Sequence, residues 1–337
     1  MDAARAPDIS DASVPAADAN SRQKRCMIVG GAVQVGSIMG VPVRIHFLLP
    51  IMTILAVVSA LVSGGGFLGA LLAICVSGPL LFMTVLCHEL GHVAAAVRCG
   101  LKAEYILLWP LGGFEQLGHS GLAVIGGSSV DPKGQTLISG AGPCTHLPMI
   151  AIWSGLLATC NEGVVTLSFD GMWLGEHFFA ILCICMIANN MSMMAFNLFI
   201  PCFPLDCSQI LLSALLLRGH DNTTTAKVII SLSVPVIVIM LAWGSWAYYS
   251  GGVSASISVF AAAWLALQTW QLHQARMTGQ LDAHPLFANV PAQTSGHTGP
   301  SPHVVGGPGA QQLCVGSLLA VASVFEAVWQ TAPASDF

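Results

Sequence analysis

Long apolar runs separated by short polar stretches dominate the chain from about residue 46 to 272. A helix needs about 20 apolar residues to cross a ~30 Å hydrocarbon layer. Six runs are of that order: 46–63, 68–97, 135–158, 177–200, 228–250 and 254–272. The second is long enough to hold a break, and Gly78-Pro79 is where a helix would yield, because proline lacks the N–H and crowds the preceding turn. Segment 208–217 is apolar but too short to cross alone, so it is expected to continue the fourth run or to lie at the interface. Outside these runs, residues 1–36 read as a polar N-terminal tail. Residues 277–312, rich in Pro, Gly, Ser and His, read as a disordered tail. Residues 313–337 form an apolar C-terminal segment that contains Glu326 and lacks a basic flank. The pattern predicts an all-α polytopic membrane protein of about six transmembrane helices. Its membrane domain covers 37–276, with a functional core at about 68–217.

Composition supports the membrane assignment. Only 8% of the 337 residues are charged and 55% are hydrophobic, whereas a soluble domain carries about 25% charged residues. Too little charge is present to coat a water-facing surface, so the lipid bilayer is the expected surrounding. A net charge of -5 without a basic cluster gives no footing for nucleic acid. The eleven cysteines include no Cys-x-x-Cys pair and are expected to be free thiols. Residues 1–25 carry Asp2, Asp8, Asp11 and Asp18 and show no hydrophobic signal core.

Charge placement orients the chain. Arg5, Arg22, Lys24, Arg25 and Arg44 precede the first run; Arg98, Lys102 and Lys133 lie between the second and third. Arg218 and Lys227 fall between the fourth and fifth, and Arg276 follows the sixth. All eleven basic residues therefore share one side of a six-span chain, while the opposite loop 159–176 carries Glu162, Asp170 and Glu176. Basic loops stay on the cytoplasmic-type side, which places both ends there.

Against this background one motif stands out. His88-Glu89-Leu90-Gly91-His92 follows the uncharged stretch 68–86. On a helix, residues four apart share a face, so His88 and His92 can offer two imidazoles to one metal ion. Glu89 sits one step around, placed to act as a proton acceptor without ligating. Buried in an apolar run, three such side chains are costly unless paired, liganded or facing a cavity. A hydrolytic zinc site needs a third protein ligand. Asp206 is the favoured one, because Pro201 and Pro204 interrupt the helix before it and leave irregular backbone that a membrane tolerates only around a protein-lined cavity. Glu104, Glu115 and Asp131 in the 98–134 loop compete for the role, and His46 is a further candidate.

These residues resemble the site-2 protease family of intramembrane zinc metalloproteases, peptidase family M50. Beside the His-Glu motif and Pro204-Leu205-Asp206, three more pieces are similar and occur in the family's order over about 37–210. They are Gly40-Val41-Pro42-Val43-Arg44-Ile45-His46, Trp109-Pro110-Leu111-Gly112-Gly113-Phe114 and Gly140-Ala141-Gly142-Pro143. The resemblance implies one zinc ion held by His88, His92 and Asp206, with Glu89 as acid/base. It also implies a small membrane-associated β-hairpin after the catalytic helix, where Gly112, Gly113 and Phe114 could hold an unwound substrate by strand addition. Transmembrane protein substrates are the implied partners, and regulated intramembrane proteolysis the implied activity, in a compact member without PDZ or CBS modules. His146 stands where the family often has Asn, Cys207 and Ser208 replace the usual glycines after the aspartate, and Asn197 is one residue farther from Asp206 than usual. Those departures motivate a second reading, a catalytically weak relative serving as a membrane scaffold or binder. A third reading, an ion transporter, lacks the paired repeats common in that class.

Overall fold

Each of the six apolar runs forms helix in the computed structural model, which describes residues 28–29, 32–109, 112–113, 122–125, 131–160, 171–249 and 255–287. In chain order the helices are α1 (Leu48–Val62), α2 (Gly66–Cys75), α3 (Leu81–Arg98), α4 (Pro132–Cys144), α5 (His146–Ala158), α6 (Gly171–Phe199), α7 (Asp206–Leu217), α8 (Asn222–Tyr249) and α9 (Ala255–Met277). Three stretches are long and apolar enough to cross a membrane: Gly66–Arg98, Gly175–Phe199 and Asn222–Ala247. The other three runs are helical without meeting that standard among the described residues, so the structure supports three crossings where six were expected. Segment 208–217 does not extend the fourth run: it is a separate helix, α7, packed against α4.

Surface and interior are inverted relative to a soluble protein. Val238, Ile239, Trp243, Trp246 and Tyr249 of α8 are exposed, whereas His88, Glu89, Asn189, Asn190 and Gln268 are buried. Polar groups turned inward and apolar groups turned outward suit a hydrocarbon surrounding.

The break expected at Gly78-Pro79 is present as a π-helical turn, Val76–Leu80, with Gly78 at non-helical φ/ψ. A break in the ladder leaves carbonyls to be satisfied, and Thr53 of α1 donates from Oγ1 to Ser77 O at 2.9 Å. The second run is therefore two helices, α2 and α3, hinged beside α1.

The all-α expectation requires amendment. The described residues hold a six-stranded sheet: β1 (Ile28–Val29), β2 (Ala32–Ile38), β3 (Val41–His46), β4 (Lys102–Trp109), β5 (Gly112–Gly113) and β6 (Leu122–Ile125). What was expected as a lone hairpin after the catalytic helix is β4 with β5 and β6, joined on its other edge to β3. Residues 28–36, expected as tail, supply β1 and most of β2. The β2–β3 turn is made by Met39 and Gly40, both at positive φ, as a two-residue hairpin with the right twist requires. Strands β3 and β4 run parallel, with Val43 opposite Ile106, because α1 to α3 carry the chain back between them. Val41, Val43, Ile106 and Leu108 then pack with Val85, Leu86, Val93 and Ala96 of α3 in one core. The sheet is in this way fastened to the helix that bears the His-Glu motif.

At the other end, the segment after α9 folds back. Leu281, Leu286 and Phe287 pack with Phe203 and Leu212, and the buried His284 ring meets Phe203 edge-on at 5.1 Å. Its Nδ1 accepts from the Leu286 amide, and its Nε2 has no hydrogen-bond partner among the described residues. Burial pushes the imidazole down to about 4 from its ordinary 6.5. A base depressed on folding stabilises the packed state fully above 6.5 and loses that contribution as the pH falls toward 4. At about 1.4 kcal/mol per pH unit, on the order of 3 kcal/mol is at stake. Hydrogen-exchange protection of the Phe287 amide, which donates to the backbone His284 O at 2.9 Å, is expected to drop through this window once corrected for intrinsic rate. His284→Phe keeps that backbone bond and is expected to show protection independent of pH there; equal pH dependence in both proteins would remove His284 as the cause.

Candidate metal centre

α3, α4 and α7 meet at the motif, and two glycines let them meet closely. A Cβ on Gly91 would lie 2.6 Å from Thr145 Cγ2 and 2.7 Å from Ala141 O, so α3 and α4 touch almost backbone to backbone. A Cβ on Gly142 would overlap Nε2 and Cε1 of His92 and lie 2.9 Å from His88 Cε1. The hydrogen on Gly142 is thus what leaves room above the two imidazoles.

Asp206 opens α7 directly after the proline-interrupted stretch. Leu205 is extended (φ -64°, ψ 153°), and Ser208 locks the turn by donating from Oγ to Leu205 O at 2.7 Å. Ser208 and Cys207, which replace the family's glycines, have ordinary helical backbone here, since neither is among the positive-φ residues. Nothing in the local dihedrals calls for glycine, and the serine hydroxyl is used within its own turn.

The result is a buried cluster of His88, His92 and Asp206 with ligand atoms close enough to share one ion. His88 Nε2 lies 3.2 Å from Asp206 Oδ2, His92 Nε2 lies 3.4 Å from Asp206 Oδ1, and the two Nε2 atoms are 3.1 Å apart. Zinc bonds of ~2.0–2.1 Å in a tetrahedral set space ligand atoms by ~3.3–3.4 Å, so these separations are close to one face of such a set. Proton placement agrees. His92 Nδ1 is 2.8 Å from Ile138 O; a carbonyl only accepts, so the Nδ1 carries the proton and the neutral ring's lone pair is on Nε2. Two imidazole nitrogens and a carboxylate converging this closely are better satisfied by a cation than by each other. Glu89 is buried beside them with neither carboxylate oxygen hydrogen-bonded among the described residues. It is near enough to His92 and Asp206 for their charges to act on it. A buried carboxylate with no partner is a group held for use at the site. The residues fit a metal.

Among the described residues, Asp131 and His46 do not join this cluster. Asp131 is the N-cap of α4, accepting from the Gly134 amide at 3.0 Å; it is structural. Glu104 stands on β4, and Glu115 and Phe114 lie outside the described residues. His46 ends β3 opposite Ala32, buried against the Phe47 ring and apart from the metal group. Asn197 donates to Met193 O of its own helix at 3.1 Å. Gly112 and Gly113 form β5, which pairs with β4 and touches α3.

His146 does enter the site. Its Nε2 is 3.1 Å from His88 Nδ1, and its Nδ1 is 2.9 Å from Asn190 Oδ1. Sequence reasoning missed Asn190, Ile138 and the Gln135–Gln209 contact that ties α4 to α7 at 3.4 Å. The Asn189-Asn190 pair within an apolar span was a readable signal, since amides are costly there without a use. A backbone carbonyl such as Ile138 O leaves no such trace.

Residues 79–172 match the profile of Peptidase family M50. That span includes His88, Glu89, His92, Gly142 and His146 but ends before Asp206, which joins the cluster through the fold. The chain is 28% identical over 217 residues to Rip3 of Mycobacterium tuberculosis, described as a candidate zinc metalloprotease, covering 63% of this chain and 48% of that protein. It is 27% identical over 213 residues to the zinc metalloprotease MJ0392 of Methanocaldococcus jannaschii, covering 63% of this chain and 54% of that one. The chain spans about half the length of the curated relatives it matches.

Proposed function

We propose that the chain is a member of peptidase family M50, whose profile its residues 79–172 match, and that it is a zinc metalloendopeptidase cutting peptide bonds in or near transmembrane segments of other membrane proteins. The observation that carries the proposal is the convergence of His88, His92 and Asp206 beside an unpartnered Glu89, all buried among apolar helices. One zinc ion held by the three ligands supplies a Lewis acid that polarises the scissile carbonyl and acidifies water at the site.

The protein groups do the rest. Glu89 takes the proton of the attacking water and returns it to the departing amine nitrogen, so that a poor leaving group leaves neutral. Two neutral imidazoles and one carboxylate preserve net positive charge where the oxyanion develops. A substrate helix hides its amides in internal hydrogen bonds, so it has to unwind before hydrolysis. Strand addition beside β5, which touches α3, offers a place to hold the unwound segment. The one-sided placement of Lys and Arg favours six crossings with both ends and the catalytic end toward the cytoplasmic-type side.

The test uses the full chain purified in detergent and supplied with zinc and a model transmembrane substrate. Wild type is expected to bind about one equivalent of zinc and to cleave. Asp206→Ala is expected to lose zinc by about 100-fold or more in affinity, because a three-ligand site reduced to two neutral imidazoles also loses its compensating charge. Unchanged zinc affinity in that variant would remove Asp206 as a ligand. A zinc-loaded wild type that never cleaves would favour the scaffold reading.

A further inference from the structure

We infer that His146 and Asn190 are a positioning pair that fixes His88 in the tautomer able to ligate through Nε2. This rests on the metal-centre reading above and adds α5 and α6 to the machinery of a site whose ligands come from α3 and α7. The direction of every hydrogen bond in the pair follows from its far end. Asn190 Nδ2 donates to Met186 O at 2.8 Å, and since a carbonyl only accepts, the amide cannot be turned over. Its Oδ1 therefore faces His146 Nδ1 at 2.9 Å. That oxygen carries no hydrogen, so the proton is on His146 Nδ1, and the neutral ring's lone pair is on Nε2. His146 Nε2 lies 3.1 Å from His88 Nδ1. His88 Nδ1 is then the donor, which leaves the His88 lone pair on Nε2, the atom facing Asp206 and His92.

Without this chain His88 could carry its proton on Nε2 and donate it to Asp206, closing the centre to a metal. His92 is set the same way by a backbone carbonyl, Ile138 O, on α4. Among the described residues His88 Nδ1 meets no such carbonyl and is set instead by side chains from two further helices. His146 uses both ring nitrogens in the chain, so it positions a ligand and is not one itself. It is fully buried, as is Asn190, which excludes water from competing for either bond. Groups that orient a ligating histidine affect metal affinity by about 10–100-fold.

The full chain, purified in detergent, would be titrated with zinc against a competing chelator for wild type, His146→Ala, His146→Gln, His146→Phe and Asn190→Leu. His146→Ala and Asn190→Leu are expected to weaken zinc by about 10–100-fold. Glutamine, whose amide can accept from His88 and donate to Asn190, is expected to recover most of the loss, and phenylalanine, which only fills space, is not. Equal rescue by Phe and Gln, or an Ala variant within about twofold of wild type, would overturn the assignment. If the Ala variant does not fold, the Gln and Phe pair decides. Nitrogen-15 NMR of wild-type histidine rings gives a second reading: His146 is expected as the Nδ1–H tautomer, and an Nε2–H signal would overturn the chain. Wild type that binds no zinc sinks the metal centre and this pair together; wild type that binds zinc as tightly as His146→Ala does sinks the pair alone.

Discussion

Replacing Glu89 by glutamine is expected to lower peptide hydrolysis by about a thousandfold while zinc stays bound. Glutamine keeps the shape of the side chain but cannot accept and return a proton. Neither oxygen of Glu89 takes part in a hydrogen bond among the described residues, and the three ligands are other side chains. The substitution therefore removes proton transfer while disturbing neither a structural contact nor the ligand set. Zinc content and single-turnover cleavage of a transmembrane substrate, measured on the same preparation, separate the two effects. A variant that cleaves at the wild-type rate would dismiss Glu89 as the base. A variant that loses zinc and cleavage together would make Glu89 part of the ligand set, contrary to the cluster the fold assembles.

The second large effect is steric. Gly142→Ala is expected to weaken zinc binding by about 100-fold or more and to take activity with it, because the added methyl must occupy the space of the His92 ring. α4 cannot simply retreat from α3: Ala141 O and Thr145 already press on Gly91, and α4 also carries Ile138 O, which holds His92. The matched control is Gly140→Ala, two residues earlier on the same helix, where a Cβ meets nothing within 4 Å. That change is expected to leave zinc affinity intact and, by helix propensity, to stabilise α4 by up to about 1 kcal/mol. Equal zinc affinities in the two variants would show that Gly142 does not guard the site.

The two glycine substitutions look identical on paper, and this shows where sequence reading ends. Gly140 and Gly142 lie in one four-residue motif, yet only one faces the imidazoles. Spacing along a single helix was readable: His88 and His92 share a face by the period of the α-helix, and Glu89 lies one step around it. The break at Gly78-Pro79 was readable for the same reason, as a property of the chain itself. Asp206 was readable in part, from the prolines that precede it, but four other residues competed. The fold brought Asp206 to the two histidines, while Asp131 caps α4 and His46 closes a strand.

The sheet was read least well. Residues 28–36 read as part of a tail, because an isolated strand has no period long enough to announce itself. The pairing of 41–46 with 102–109 is decided by residues some sixty positions away, with Val43 against Ile106, and by the apolar face both present to α3.

By itself, then, the amino-acid order determined what is local or additive: apolar run length, charge asymmetry, the helical face of the His-Glu motif, and the positions where the backbone must break. The tertiary structure alone decided what depends on approach between segments. It brought Asp206 to His88 and His92, set the clearance at Gly142, placed hydrogen-bond partners at both imidazoles, and gave Cys207 and Ser208 ordinary helical backbone. The physical reason is that ligation and hydrogen bonding act over about 2–3.5 Å, a range that sequence separation does not encode and that only the packing of helices supplies.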